Sequence, residues 1–191
     1  MSIFGGAKMH SAVSIYKETG DFYETCKKTG LTALTCHIIL AKAGVMKIRD
    51  KIEFGTRAQR LGGMAEAKFQ EMVPDAIDAN RMWKQNNPAF DFCVRGITVD
   101  VKYSSMRESR GKWCFDVSNR CPDLYCVFCE KKEGAGMDEF YLLLIPAGLV
   151  QATSNLTISR SGVWFEQFQV DEKQLNDVLD AYAEIARGEQ K

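Results

Sequence analysis

Four charged side chains, Glu66, Asp91, Asp100 and Lys102, have the types and spacing to hold a hard cation and activate a water. Three of them lie in "FDFCVRGITVDVKYSS", residues 90–105. Phe90, Phe92 and Val94, then Ile97, Val99, Val101 and Tyr103, take every second position, and Asp91, Cys93, Thr98, Asp100, Lys102 and Ser104 take the others. Strict period-two alternation on both sides of Arg95-Gly96 predicts a β-hairpin. If Arg95-Gly96 is a two-residue turn, Val94 faces Ile97, Phe92 faces Val99 and Asp91 faces Asp100. Arg-Gly is not the best pair for such a turn, and a longer loop would shift the register. Cross-strand partners have Cβ atoms about 4.5–5.5 Å apart, where like charges repel. Two arrangements offset that repulsion. Lys102 can join the carboxylates in a surface ion network worth little. Alternatively, a divalent cation such as Mg²⁺ binds one or two carboxylates together with waters and substrate phosphates.

The elements that must position these groups follow from the flanking pattern. "MAEAKFQEMV", residues 64–73, places Ala65, Phe69, Met72 and Val73 on one side of a helix that Pro74 ends. Glu66 falls in the first turn of that helix, where a carboxylate is favourable. Downstream, "KWCFDV" (112–117), "PDLYCVFCE" (122–130), "EFYLLLIPAGL" (139–149) and "VWFEQFQV" (163–170) read as strands, with residues 130–139 a hairpin loop. The last element, 171–188, reads as a helix with Asp171 and Gln174 at capping-box spacing and Leu175, Val178, Leu179, Tyr182 and Ile185 inward.

The N-terminal third has a different grammar, of short helices punctuated by glycine. Ala12, Ile15 and Tyr16 keep helical spacing up to Gly20; Asp21 caps a second helix ending at Gly30; Thr32 caps a third that runs to Gly44. Two helices joined by a tight glycine turn resemble a helix-turn-helix. Cys26, small and four residues before Gly30, sits where the helices must approach closely, and Leu31, Cys36, Ile39 and Leu40 supply apolar contacts. In such a module 32–43 is the recognition helix. Thr32, Ala33, Thr35 and His37 then face a DNA groove, with Lys42, Lys47 and Arg49 near phosphates. That face is poor in Arg, Asn and Gln, the best base readers. An interaction module that touches no DNA is the other reading. Residues 51–63 form a charged, glycine-containing junction in which Arg57 and Arg60 are candidate phosphate contacts or part of a solvated face.

Helix with Glu66, hairpin with Pro88 and Asp91, then Asp100-Val101-Lys102: this order resembles the PD-(D/E)XK nuclease superfamily. The resemblance covers roughly residues 60–150, with the "PD" half loose because Pro88 is not adjacent to Asp91. It implies an α/β (α+β) fold, a restriction-endonuclease-like mixed sheet flanked by helices, over residues 64–191. A helix-turn-helix domain (1–50) and a junction (51–63) precede it. It also implies a Mg²⁺-dependent endodeoxyribonuclease, with Mn²⁺ as a substitute ion. Asp91, Asp100 and the Val101 carbonyl would ligate the metal, Lys102 would orient the attacking water, and Glu66 would hold a metal-bound water or a second ion. Ser104, Arg107 and Arg110, in the polar stretch just beyond the site, would contact the DNA backbone or form only a flexible polar loop. Cutting both strands implies a homodimer or higher oligomer. The competing expectations are an inactive nuclease-fold DNA-binding or regulatory protein and a structure-selective resolvase.

Composition bounds these readings. With 25 basic and 25 acidic residues the net charge is zero, so nothing global points to nucleic acid, although local potential decides binding. Seven cysteines, an odd number, fit reduced thiols in a cytoplasmic setting. Cys114, Cys121, Cys126 and Cys129 invite a zinc reading. Cys126 and Cys129, however, lie three apart in a strand-like run and so point to opposite faces, which favours buried thiols. No apolar run approaches the roughly 20 residues of a membrane helix, and no signal peptide opens the chain.

Overall fold

The computed structural model describes residues 6–79, 90–107, 109, 111–117, 122–150 and 155–188. Three helices open the chain: α1 (Gly6–Thr19), α2 (Phe22–Thr29) and α3 (Ala33–Lys42). Their boundaries are the ones the caps dictate. The Asp21 carboxylate accepts the Glu24 N–H at 2.7 Å, Thr32 Oγ1 accepts the Thr35 N–H at 3.2 Å, and Gly30 takes the left-handed conformation at φ 67°. Tyr16, Phe22, Cys36, Leu40 and Met46 form their core.

A helical hairpin follows, α4 (Ile48–Phe54) and α5 (Arg57–Met72). A capping box between Thr56 and Gln59 starts α5, so it begins a full two turns before the start expected from the sequence. Glu66 therefore lies in mid-helix and not in a first turn, where the helix dipole does not account for it. The helix ends before Pro74, as its missing N–H requires.

A six-stranded mixed sheet is built from β1 (Ile77–Asp78), β2 (Phe92–Val94), β3 (Ile97–Ser104), β5 (Leu124–Glu130), β6 (Phe140–Pro146) and β8 (Gln169–Val170), in that spatial order. Every neighbouring pair is antiparallel except β3 with β5. Helix α5 and the C-terminal helix α7 (Leu175–Ala186) cover one face through Ala65, Phe69, Val73, Leu175 and Leu179. The other face is covered by a two-stranded sheet, β4 (Lys112–Asp116) with β7 (Asn155–Ser159), and by α6 (Val163–Phe168). The overall class is mixed α and β, as expected.

Three local expectations are corrected. Residues 163–168 are helical, which brings Trp164 and Phe168 together at i,i+4 with tilted rings 5.1 Å apart and packs both against the core. The Asp171–Gln174 capping box does not form: Asp171 accepts the Lys173 N–H at 2.8 Å and α7 starts only at Leu175. Ile185 is 68% exposed and does not face inward. Strand β7 had no counterpart in the sequence reading. Cys126 and Cys129 are buried in different cores on opposite faces of β5, as their spacing requires, whereas Cys114 is exposed. Burial pushes both buried thiols up. Pro88, Arg110 and Cys121 lie outside the described residues.

A candidate carboxylate site at the end of the hairpin

The register expected from a two-residue turn is the one that forms: Val94 pairs with Ile97, Cys93 with Thr98 and Phe92 with Val99. Arg95 and Gly96 both adopt positive φ, 52° and 93°, as a type I′ turn demands. For arginine that backbone conformation costs about 1–2 kcal/mol. Its side chain supplies the offset. The guanidinium pairs with Asp75 at 2.9 Å and Asp180 at 2.8 Å, and donates to the Asn176 side-chain oxygen at 2.8 Å. Asn176 in turn donates to the Met72 carbonyl at the end of α5, at 2.9 Å. The turn is thus bolted to both covering helices, and the guanidinium holds the Asp75 carboxyl below its usual range.

One step beyond Phe92, Asp91 lies past the paired residues of β2 but still bonds to β3, at Val99 and Val101 and not at Asp100 as the two-residue turn led one to expect. Its N–H donates to the Val99 carbonyl at 3.0 Å, and its Oδ2 accepts the Val101 N–H at 2.9 Å. Where β2 has run out, the carboxylate replaces a strand carbonyl as the acceptor for β3. The N–H and C=O of a strand residue point to the same side, so the Val101 carbonyl also opens toward Asp91. Asp100 and Lys102 lie on the opposite face from Val99 and Val101; their β5 partners, Tyr125 and Val127, belong to the second core. Asp100 is fully buried, and Lys102 Nζ lies 2.8 Å from its Oδ2.

Glu66 arrives from the helix side. It is 7% exposed, and Lys51 Nζ grips both carboxylate oxygens, at 2.7 and 2.8 Å. This pairing depends on glycine. A Cβ on Gly63 would come within 3.1 Å of Ile52 and of Lys51, so the bare α-carbon lets α4 lie this close to α5 with Lys51 above Glu66, and a methyl there would push the neighbours back by a few tenths of an ångström. Burial pushes the Glu66 carboxyl up to about 7, opposed by Lys51 and reinforced by the negative charges of Asp91 and Asp78. Glu66, Asp78 and Asp91 therefore share one field. Asp78 is itself 6% exposed, opposite Phe92 on β1.

Lys51 and Asp78 are residues that the sequence reading did not place in the site. Lys51 stands 15 residues from its partner with no shared periodicity. Asp78 sits in a two-residue strand too short to show alternation. Among the described residues, no three His, Cys, Asp or Glu side chains converge as ligands of one ion. The donor set of Asp91, Asp100 and the Val101 carbonyl is nevertheless all hard oxygen. It fits a cation such as Mg²⁺ that keeps several of its waters.

The surface residues read as DNA contacts are scattered over two regions. Thr32, Ala33, Lys42, Lys47, Arg49, Arg57, Arg60 and Arg107 are exposed. Thr32 is occupied as the α3 cap, and Arg49 lies 3.8 Å from Glu53. Thr35 is half-buried, and His37 turns its Nε2 into the protein. Ser104 Oγ accepts the Cys114 N–H at 3.0 Å and ties β3 to β4. No protein-family model, curated protein or solved structure gives a significant match to this chain. Among the described residues, no helix is long and apolar enough to cross a membrane.

Proposed function

We propose that the chain is a Mg²⁺-dependent endodeoxyribonuclease of the PD-(D/E)XK type, brought to DNA by its N-terminal helix-turn-helix. The observation that supports this reading is the bond from the Val101 N–H, between Asp100 and Lys102, to the Asp91 carboxylate, with Glu66 in the field of Asp91. Asp91, Asp100 and the Val101 carbonyl would hold the ion, which when bound polarises the phosphodiester and acidifies a water. Lys102 would orient the attacking water and balance charge on the phosphate. Glu66, with its carboxyl near 7, can accept a proton at neutral pH. Reduced cysteines support a cytoplasmic setting, and a homodimer would present one site to each strand.

A second reading is supported by a specific observation. Each carboxylate already has a protein partner: Lys51 for Glu66, the Val101 N–H for Asp91, Lys102 for Asp100. A metal-free, catalytically inactive scaffold that binds DNA would need nothing more. Incubation with supercoiled plasmid, linear duplex and branched DNA, with Mg²⁺ or with EDTA, separates the two. The nuclease reading expects Mg²⁺-dependent cutting that falls by about 10²–10⁴ in Lys102→Ala, with DNA retention in a gel shift unchanged. Cutting of branched DNA alone would make the enzyme a structure-selective resolvase. Cleavage of no substrate, or undiminished cleavage by Asp100→Ala and Lys102→Ala, overturns the assignment.

A further inference from the structure

The N-terminal module holds a second chemical feature that is independent of the carboxylate site. Cys26 on α2 and Cys36 on α3 lie on either side of the Gly30 turn, and Cys26 packs against the helical core to which Cys36 belongs. Gly30 takes φ 67° and donates its N–H to the Cys26 carbonyl at 2.9 Å, so α2 ends and the chain turns one helical turn beyond Cys26. That turn folds α3 back and brings residue 36 into the core against which residue 26 packs. Cys36 is fully buried in the helical core, and Cys26 packs on the edge of that core while remaining half-exposed. The two cysteines therefore differ in access but pack in one core. Buried apolar side chains of the same volume would pack this turn equally well, so packing alone does not require sulfur at both positions.

We propose that Cys26 and Cys36 are a peroxide-responsive dithiol that closes to a disulfide and fixes the angle between α2 and α3. The oxidant is hydrogen peroxide. The Cys26 sulfur attacks one peroxide oxygen, the O–O bond breaks, and the departing hydroxide takes the thiol proton and leaves as water. This yields a sulfenic acid at Cys26. The Cys36 sulfur then attacks the Cys26 sulfur, the S–O bond breaks, and the second hydroxide leaves as water with the Cys36 proton. Two thiols and one peroxide give one disulfide and two waters. Access sets this order, because only Cys26 reaches solvent. Burial and the neighbouring thiol push Cys36 up to about 12, which makes it the resolving sulfur and the second step the slow one. Closure would pin α3, whose exposed Thr32, Ala33 and Leu34 form its leading turn.

The test uses the full chain, treated with hydrogen peroxide, alkylated and digested with trypsin without reductant. Cleavage after Lys17, Lys27, Lys28 and Lys42 separates the cysteines onto residues 18–27 and 29–42. The expected product is those two peptides joined, two hydrogens lighter than their sum. It should disappear on adding dithiothreitol and be absent from Cys26→Ser and from Cys36→Ser. A peptide 18–27 carrying only sulfinic acid, alkylation of both thiols after peroxide, or a bond from either cysteine to Cys114 would overturn the proposal. Because the readout in the wild-type chain is a mass, it does not depend on either variant folding, nor on any nuclease activity.

Discussion

Two lysine–carboxylate pairs in this protein each hold a buried acid, and they are built in opposite ways. Lys102 and Asp100 are two residues apart on one strand, so the pleat alone puts them on the same face. Lys51 and Glu66 are 15 residues apart on two helices and meet where those helices pack closely at Gly63. The first pair is a local consequence of sequence and the second a product of packing. Local pairs survive small changes in the surrounding fold, whereas a packed pair fails when its supporting contact does.

The largest expected effects come from removing either cation. Lys51→Met or Lys102→Met strands a buried carboxylate, at a cost of about 3–5 kcal/mol in urea unfolding near neutral pH. The two variants should then part company. Gly63→Ala, which pushes α4 from α5, should weaken the Lys51–Glu66 pair by about 1–3 kcal/mol and leave Lys102–Asp100 untouched. A double-mutant cycle between positions 63 and 102 that departs from additivity would break the contrast.

Mg²⁺ sharpens it further. If an ion sits on Asp91 and Asp100, adding Mg²⁺ at 100 times its Kd should stabilise the wild type by about 2.7 kcal/mol. Asp91→Asn and Asp100→Asn should each abolish that gain, and a calorimetric titration of the same variants reads it independently. Asp91→Ala should in addition lose the acceptor for the Val101 N–H, at about 1–3 kcal/mol.

The most gradual effect is a slope. The folded chain binds the Glu66 proton more tightly than the unfolded chain does, because its carboxyl is raised from 4.5 to about 7. The corresponding stability is fully present below the ordinary value and is lost as pH rises through about 7. Denaturation midpoints should therefore decline across that window, and Glu66→Gln should flatten the decline. A Glu66→Gln curve parallel to the wild type would remove Glu66 from the shared field of Asp91 and Asp78.

Much of the candidate site was legible because its signals are local. The alternation around Arg95-Gly96 gave the register, and the caps at Asp21, Thr32 and Gly30 gave the helical module. Aromatic residues misled where a strand-like composition at 163–168 concealed an i,i+4 helical face. The start of α5 was misplaced because Gly62 and Gly63 read as a break, whereas one of them serves helix contact.

The sequence by itself determined the hairpin, the same-face placement of Asp100 and Lys102, the helix caps and the opposite-facing thiols of β5. These depend on periods of 2 and 3.6 residues and on cap chemistry, which act within a few residues. Only the tertiary structure decided that Lys51 grips Glu66, that Asp78 joins its field, that Arg95 bolts the turn to two helices and that Cys36 and Cys26 pack in one core. Such contacts join elements through packing, and burial then sets the charge state of Glu66, because desolvation is a property of the surroundings and not of the residue.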